Sequence, residues 1–267
     1  MKRYLAVFRL RFVHGLQYRT VVWAGMAAQF FWAFLYIMIY EAFYASSSGP
    51  APMRLEELVA YVWLQQAFLM LVILWYRDNQ MFQLITSGNV VYELCRPWDL
   101  YTFWYNRLAG QRLAGAVVRG FPLLAAAWLM PPPYQLPPPA SSEALLLFSF
   151  SLLLGVLVIV AISMFVYISV FITMSPAGSL FLISIIGDFF SGLILPIPLM
   201  PGWLQQIAYW LPFRLTADLP FRIYSGHIPV TEAWWGIGTQ LCWLLLLTLG
   251  GKLALRRALE RLVIQGG

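Results

Sequence analysis

A small set of polar side chains lies within long apolar stretches of this chain. Polar groups are costly to bury in such stretches, so these residues are the first candidates for a function. Asp188 is the carboxylate set deepest in such a stretch, and Arg119, Gln65 and Gln66 are its polar counterparts elsewhere. Burying an ionised group in a membrane is expensive, which makes Asp188 a functional candidate. The alternative is structural: Asp188 hydrogen-bonds a neighbouring helix or pairs with Arg119. The two amides join helices or, alternatively, contact a substrate.

Catalytic and nucleotide-binding patterns are missing from the sequence. The only histidines, His14 and His227, are predicted on opposite sides of a membrane, and no G-x-S-x-G elbow supplies a nucleophile. The two lysines, Lys2 and Lys252, lie outside any Gly-rich phosphate-binding loop. We therefore expect no catalytic residue, no cofactor and no metal site in this chain. If nucleotide drives the protein, a separate polypeptide must bind it.

The composition is typical of an integral membrane protein. Of 267 residues, 61% are hydrophobic and 10% are charged, against about 25% charged in soluble domains. The net charge of +6 reflects basic residues beside the apolar stretches, so we expect it to report orientation and not binding to nucleic acid. Cys95 is predicted on a loop and Cys242 inside a span, which excludes a disulfide between them. We treat residues 1–267 as one domain.

Six apolar stretches are predicted to cross the membrane, because a crossing helix needs about 20 residues. The expected spans are residues 20–41, 58–76, 113–130, 144–172, a stretch from 180 to near 195, and 233–249. Residues 1–19 carry an apolar stripe and predict a helix in the membrane interface, or alternatively the start of the first span.

The segment 77–112 is semi-polar and too long for a simple turn. It predicts surface helices that break at Ser87-Gly88 and again at Arg96-Pro97. Asp99 is placed to N-cap a helix that runs toward Arg112.

The stretch 187–226 is apolar but holds too many prolines for a straight span. An interior proline removes a backbone donor and breaks a helix, and non-helical backbone inside a membrane must be covered by protein or by a water-filled cavity. We predict a helix that ends near Leu195, followed by short helices that fold back as a re-entrant gate. The residues assigned to this gate are Pro196, Pro198, Pro201, Trp203, Pro212 and Pro220.

The basic residues indicate the orientation. Of the 17 Lys and Arg residues, all but Arg54, Arg214 and Arg222 lie on the side of the termini. The positive-inside rule then places both termini in the cytosol and the proline-rich hairpin outside. The expected fold is all-α integral membrane, with six transmembrane helices, an N-terminal interfacial helix, cytosolic helices between spans two and three, and an external re-entrant helical hairpin between spans five and six.

This arrangement resembles a type-2 ABC exporter permease over nearly the whole chain. Four segments are similar to the small bacterial branch whose permeases are often encoded in pairs beside one ATPase: SGNVVYELCRPWD (87–99), SGLILPIPLMPGWL (191–204), LPFRLTADLPFRIYSG (211–226) and RRALERLVIQGG (256–267). The resemblance implies a permease subunit that exports an amphipathic or lipophilic small molecule, such as a drug, a lipid or a secondary metabolite, by ATP-coupled alternating access. ATP and Mg would bind to the partner ATPase.

The resemblance also implies partners and a location. The chain would lie among lipids in the bacterial cytoplasmic (inner) membrane, bound to cytosolic ABC ATPase subunits. It would also bind a second permease subunit, and the paired genes of the branch slightly favour a related chain over an identical one. The family's coupling helix would map onto Gly88, Glu93, Arg96, Pro97 and Asp99, unless these form only a solvated helix face. Two other functions stay open: an ion-coupled secondary transporter that uses Asp188, and a membrane assembly factor without transport activity.

Overall fold

The computed structural model of the chain describes residues 2–15, 19–46 and 51–260. Within these ranges the chain forms α-helices and short 3₁₀ turns and has no β-strand, which confirms the all-α class. The helices are α1 (Lys2–Gly15), α2 (Arg19–Ser46), α3 (Leu55–Ala67), α4 (Leu69–Val72), α5 (Asn79–Thr86), α6 (Val90–Leu94), α7 (Leu100–Trp128), α8 (Ser142–Thr173), α9 (Pro176–Phe190), α10 (Gly202–Trp210), α11 (Asp218–Tyr224) and α12 (Val230–Glu260). The 3₁₀ turns are Ile197–Leu199 and Phe213–Leu215.

Three of the described helices are long and apolar enough to cross a membrane. They are Trp23–Ser46 within α2, all of α8 and all of α12. Helix α8 is apolar on every side and largely buried, as expected for the central helix of a bundle. It begins where Ser141 caps the N–H of Ala144 and packs against α7, α9, α11 and α12.

The second predicted span, residues 58–76, is wrong as a continuous helix. Helix α3 ends at Ala67, α4 adds a single turn, and the backbone is extended at Ile73 (φ −73°, ψ 128°). The local sequence contains no Gly or Pro to mark this break. Contacts from distant helices, described below, stabilise it instead.

Two predicted boundaries disappear because a single helix replaces two segments. Helix α7 runs for 29 residues from the surface through Arg112 and past Pro122. Helix α12 likewise joins the sixth predicted span to the basic tail as far as Glu260. In both cases the helix continues from its apolar part into a polar part. The change in hydropathy therefore predicted a boundary at which the backbone stays helical.

Helix α9 ends at Phe190 instead of near Leu195. Gly192 follows it with a positive φ of 85°, a conformation that favours glycine. A side chain here would also collide with the hydroxyl of Tyr61, which lies 2.3 Å from the position of a Cβ atom. The turn therefore depends on a glycine that brings the chain against α3.

The surface helices form as the sequence predicts. Helix α5 ends before Gly88, which has a φ of 74°, and α6 ends before Arg96. Asp99 caps α7 by accepting a hydrogen bond from the N–H of Thr102 at 2.8 Å. Helix α1 lies along α7, where Gly110 leaves room for the backbone of Phe8. We call the end of the bundle with α1, α5, α6 and the start of α7 the basic end.

Residues 215–224, between α9 and α12, fold into the interior of the bundle and are all buried. Gly155 of α8 allows the carbonyl oxygens of Leu215 and Thr216 to approach to 3.1 and 2.9 Å from the position that a Cβ atom would take. From α12, the amide of Gln240 donates to the carbonyl oxygens of Leu215 (2.8 Å) and Ser151 (2.9 Å). Small and amide side chains thus seat residues 215–224 on α8 and α12. We call residues 191–224, between α9 and the end of α11, the proline-rich segment.

Candidate functional site

One polar site inside the bundle is the break after α4. Arg112 is 1% exposed, and its guanidinium donates to the carbonyl oxygens of Leu71 (3.0 Å), Ile73 (2.8 Å) and Tyr76 (3.4 Å) and to the hydroxyl of Ser163 (3.1 Å). The last carbonyl groups of a helix have no donor within that helix. Arg112 of α7 therefore supplies the donors that the interrupted α3–α4 segment lacks.

Asp188 approaches the same segment from α9. Its carboxylate accepts a hydrogen bond from the N–H of Leu74 at 2.9 Å. The neighbouring Gly187 makes this approach possible, since a Cβ atom there would lie 2.0 Å from a methyl group of Leu74. An acid and a base on different helices thus hold one short stretch of irregular backbone.

The contacts that the structure describes for Asp188 and Arg119 lie on different segments of the chain: the Asp188 carboxylate accepts from the N–H of Leu74. The guanidinium of Arg119 lies against Gly25 of α2, with Nη1 2.7 Å from the position of a Cβ atom there. The amide of Gln65 donates to the carbonyl oxygen of Leu193 at 2.5 Å, and Gln66 is also buried on α3. Gln65 therefore joins α3 to the proline-rich segment.

The residues predicted to couple to an ATPase divide by exposure. Gly88, Arg96, Pro97 and Asp99 are exposed at the basic end. Glu93 is half-buried, and its carboxylate accepts a hydrogen bond from the indole N–H of Trp104 at 2.5 Å. Glu93 is thus turned toward the bundle, in contrast to the four exposed residues.

Arg96 belongs to a small aromatic cluster on this surface. Its guanidinium carbon lies 5.0 Å from the ring centre of Trp98, which stacks on Phe103 with the ring centres 4.7 Å apart. The ring attracts the cation electrostatically, which favours one position of the exposed Arg96 side chain.

A buried ion pair fastens α5 beneath this surface. Asp78 and Arg107 are 5% and 4% exposed, and the distance from Oδ2 to Nε is 2.7 Å. The other oxygen of Asp78 caps α5 by accepting from the N–H of Gln80 at 3.0 Å, while its backbone N–H donates to the hydroxyl of Tyr167 at 2.7 Å. One side chain and its backbone therefore tie α5 to α7 and α8.

Helix α1 joins this cluster through Arg11. Its guanidinium and that of Arg107 both donate to the side-chain oxygen of Gln80, at 3.3 and 2.9 Å. Burial lowers the pKa of the Arg11 guanidinium, and the nearby positive charge of Arg107 lowers it further. The basic end is thus a connected unit of α1, α5 and α7.

The residues assigned to the gate also divide by exposure. Pro196, Pro198, Pro212 and Pro220 are buried, whereas Pro201 and Trp203 are exposed. Beneath them Arg222 pairs with Asp218 at 3.1 Å, and the hydroxyl of Tyr61 donates to the carbonyl oxygen of Gly192 at 3.1 Å. The proline-rich segment consequently has a polar interior held to α3.

An apolar groove of about 670 Å³ runs between α3, α7, α8 and α11. Its walls include Phe68, Phe121, Trp128, Phe148 and Tyr224. Two of its lining residues, Leu71 and Leu113, lie beside the helix break. A third, Tyr224, is the last residue of α11, the helix that carries Asp218 and Arg222.

No family model, curated protein or solved structure matches this chain. Its function must therefore be inferred from the geometry and from the sequence motifs. Chemically, Arg112 and Asp188 satisfy backbone groups at the helix break, and the basic end presents exposed polar and aromatic side chains.

Sequence reasoning missed the three most buried charged residues of the basic half. In the sequence, Arg107 and Arg112 are two of the basic residues predicted on the side of the termini, and Asp78 is one residue of a semi-polar segment. Asp78 does carry a signal, because an Asp directly before a predicted helix is a favoured N-cap. Arg112 carries none, since its partners are three backbone carbonyl groups and the hydroxyl of a distant serine.

Proposed function

We propose that this chain is the membrane-spanning permease subunit of an ATP-driven exporter of the type-2 ABC family. Its six crossings would be α2, the interrupted α3–α4 pair, α7, α8, α9 and α12. The three long apolar helices support a membrane location, and the clustering of Lys and Arg at the basic end supports cytosolic termini in a bacterial cytoplasmic membrane.

The observation that carries the proposal is the buried Asp78–Arg107 pair. Nucleotide can do work on a cargo only if its binding favours one arrangement of the spans over another, which requires a rigid connection. The pair, with its hydrogen bonds to Gln80 and Tyr167, provides one between the surface helices and the spans. The exposed Gly88, Arg96, Pro97 and Asp99 would form the contact with an ATPase subunit.

Cargo would follow the apolar surfaces of the bundle. The groove between α7 and α8 has almost wholly apolar walls, which favours an amphipathic or lipophilic small molecule that enters from the membrane. The proline-rich segment would close the outer end as a re-entrant gate. Its seating on α8 and α12 lets a rearrangement of those helices move it.

The proposal requires two kinds of partner protein. ATPase subunits with bound ATP and Mg would lie against the basic end, and a second permease subunit, a related or an identical chain, would complete the pathway. The Asp188–Leu74 hydrogen bond supports a structural role for Asp188 over ion coupling, because the carboxylate is already engaged by backbone.

Purification of the tagged full chain from its native membrane tests this function. We expect a P-loop ATPase to copurify, and its ATP hydrolysis to be stimulated by lipophilic cargo in liposomes. Transport that follows a proton or sodium gradient without nucleotide, and is lost in Asp188→Asn, would replace the exporter with an ion-coupled carrier. A chain that copurifies with no ATPase and transports nothing would contradict both.

A further inference from the structure

Two arginines share one tyrosine between α10 and α11. The guanidinium carbon of Arg214 lies 4.4 Å from the ring centre of Tyr209. Arg222 donates from Nη1 to the hydroxyl oxygen of the same tyrosine at 3.2 Å and to the carboxylate of Asp218 at 3.1 Å. Tyr209 is 43% exposed, so the cluster opens to the surface.

The cluster has an excess of positive charge and of hydrogen-bond donors. Asp218 neutralises Arg222, but Arg214 makes no ion pair within the part of the chain that the structure describes. Among the described residues, the Nε–H groups of Arg214 and Arg222 are both buried and have no hydrogen-bond acceptor, and Arg222 as a whole is 8% exposed. Buried donors of a charged group are costly to leave unpaired. Each of the two arginines therefore keeps a donor that a bound anion could use.

The surface beside the cluster is apolar and aromatic. Trp203, Ile207 and Trp210 of α10 are 66%, 43% and 83% exposed. Their spacing of four and three residues places them on one face of the helix. An exposed stripe with tryptophan at each end is typical of a helix that lies in the lipid head-group region.

From these contacts we propose that Arg214, Tyr209 and Arg222 bind the phosphate group of a phospholipid. Guanidinium groups are well suited to phosphate oxygens. The acyl chains of the same molecule would contact the apolar α10 stripe in the adjoining leaflet. A free phosphate ion has no acyl chains and would not gain this contact. This proposal requires a bilayer but no ATPase, so it is independent of the exporter function.

Lipid binding to the purified full chain tests the site. The probes are phosphatidylglycerol, diacylglycerol with the same acyl chains, and inorganic phosphate, added to delipidated protein in detergent. We expect phosphatidylglycerol to bind with at least about tenfold higher affinity than diacylglycerol, because charge-assisted hydrogen bonds of this kind are strong. Inorganic phosphate should not displace it.

Matched variants locate the effect. Arg214→Gln should weaken phosphatidylglycerol binding about tenfold and leave diacylglycerol binding unchanged, while Arg214→Lys should retain most of the affinity. Arg256→Gln removes the same charge from an exposed residue in the last turns of α12, away from the cluster, and should have no effect. Equal phosphatidylglycerol affinity in Arg214→Gln and the unmodified chain would overturn the site, and displacement by inorganic phosphate would overturn the lipid assignment.

A measurement on the unmodified chain keeps the proposal testable if Arg214→Gln does not fold. Phosphatidylglycerol with a photoreactive head group should crosslink to the peptide that contains residues 203–214. Crosslinks confined to other segments would contradict the proposed site.

Discussion

The carboxylate of Asp188 accepts a hydrogen bond from the backbone N–H of Leu74, 2.9 Å away, at the point where a helix is interrupted. Arg112 binds the carbonyl oxygens on the same stretch from a different helix. An unsatisfied backbone group in hydrocarbon costs several kcal/mol. The two charged side chains therefore stabilise an irregular segment within the bundle, and replacement of either one should destabilise the fold.

Replacement of Arg112 by Met should destabilise the fold strongly. It leaves the carbonyl oxygens of Leu71 and Ile73 buried without a donor, so we expect a loss on the order of 3 kcal/mol in the free energy of unfolding. Denaturant unfolding of the purified chain in detergent measures the loss. The control, Arg256→Met, removes an exposed guanidinium and should change stability by less than about 0.5 kcal/mol. Equal stabilities of the two variants would show that Arg112 does not stabilise the break.

Asp188→Asn and Asp188→Leu should differ. Asparagine retains a side-chain oxygen that can accept from the N–H of Leu74, whereas leucine does not. We expect Asp188→Leu to be less stable than Asp188→Asn by about 1–3 kcal/mol. Thermal unfolding in detergent compares the two. If the ranking were reversed, the Asp188–Leu74 hydrogen bond would have no structural importance.

Gly155→Ala should be destabilising although alanine is the better helix former. The new methyl group would lie 2.9 Å from the carbonyl oxygen of Thr216, and we expect a cost of about 1–3 kcal/mol for the resulting shift. The matched control is Gly238→Ala in α12, where nothing lies within 4 Å, and which should stabilise by up to about 1 kcal/mol. A stabilising Gly155→Ala would mean that the proline-rich segment does not rest on α8.

Substitutions of Glu93 and Arg96 should affect different properties of the protein: its stability and its coupling to an ATPase. Glu93→Ala removes the acceptor of the Trp104 indole, so it should lower the free energy of unfolding by about 1–2 kcal/mol. Arg96 is exposed, and Arg96→Ala should leave stability unchanged while it reduces ATP-driven export. Unfolding and transport are measured on the same preparations. Normal cargo-stimulated ATPase activity and export in the double variant would remove the coupling assignment.

The pH dependence of stability should include a contribution from Glu57. This residue precedes the apolar stretch that begins at residue 58. Burial raises the pKa of its carboxyl, but hydrogen bonds from Arg54 and the nearby His227 outweigh burial and place the pKa below its ordinary value of 4.5.

A lowered pKa means that the ionised carboxylate stabilises the folded state above the unfolded-state pKa, and that this contribution is lost as the pH falls through the folded-state pKa. The unmodified chain should therefore exceed Glu57→Gln in stability at pH 7 and lose that advantage in acid. Unfolding curves of both proteins across this range test the expectation, and a constant difference at every pH would refute it.

Local signals in the sequence were sufficient for the surface helices. Gly88 and Pro97 punctuate the chain, and Asp99 is a favoured N-cap, so their effects depend on neighbouring residues. The long apolar helix α8 was predicted almost to its ends, because its sequence is continuous and bounded by Ser141 and a turn at Met174.

The break in the second span could not be predicted in the same way. Its backbone partners, Arg112 and Asp188, are distant in sequence, and an arginine that binds carbonyl oxygens has no local pattern. Apolar periodicity reports which residues avoid water, and it does not report where a helix will be interrupted by tertiary contacts.

The most direct test of the proposal that a separate ATPase subunit drives this chain uses the chain's own cysteines. Cys95 is exposed beside Arg96, and Cys242→Ser removes the only other thiol. A photoreactive crosslinker attached to Cys95 in native membranes should capture a subunit that binds ATP, and Cys95 should be protected from an impermeant maleimide in intact cells. Labelling of Cys95 from outside the cell, or the absence of any ATP-binding subunit among its crosslinked products, would contradict the proposed function.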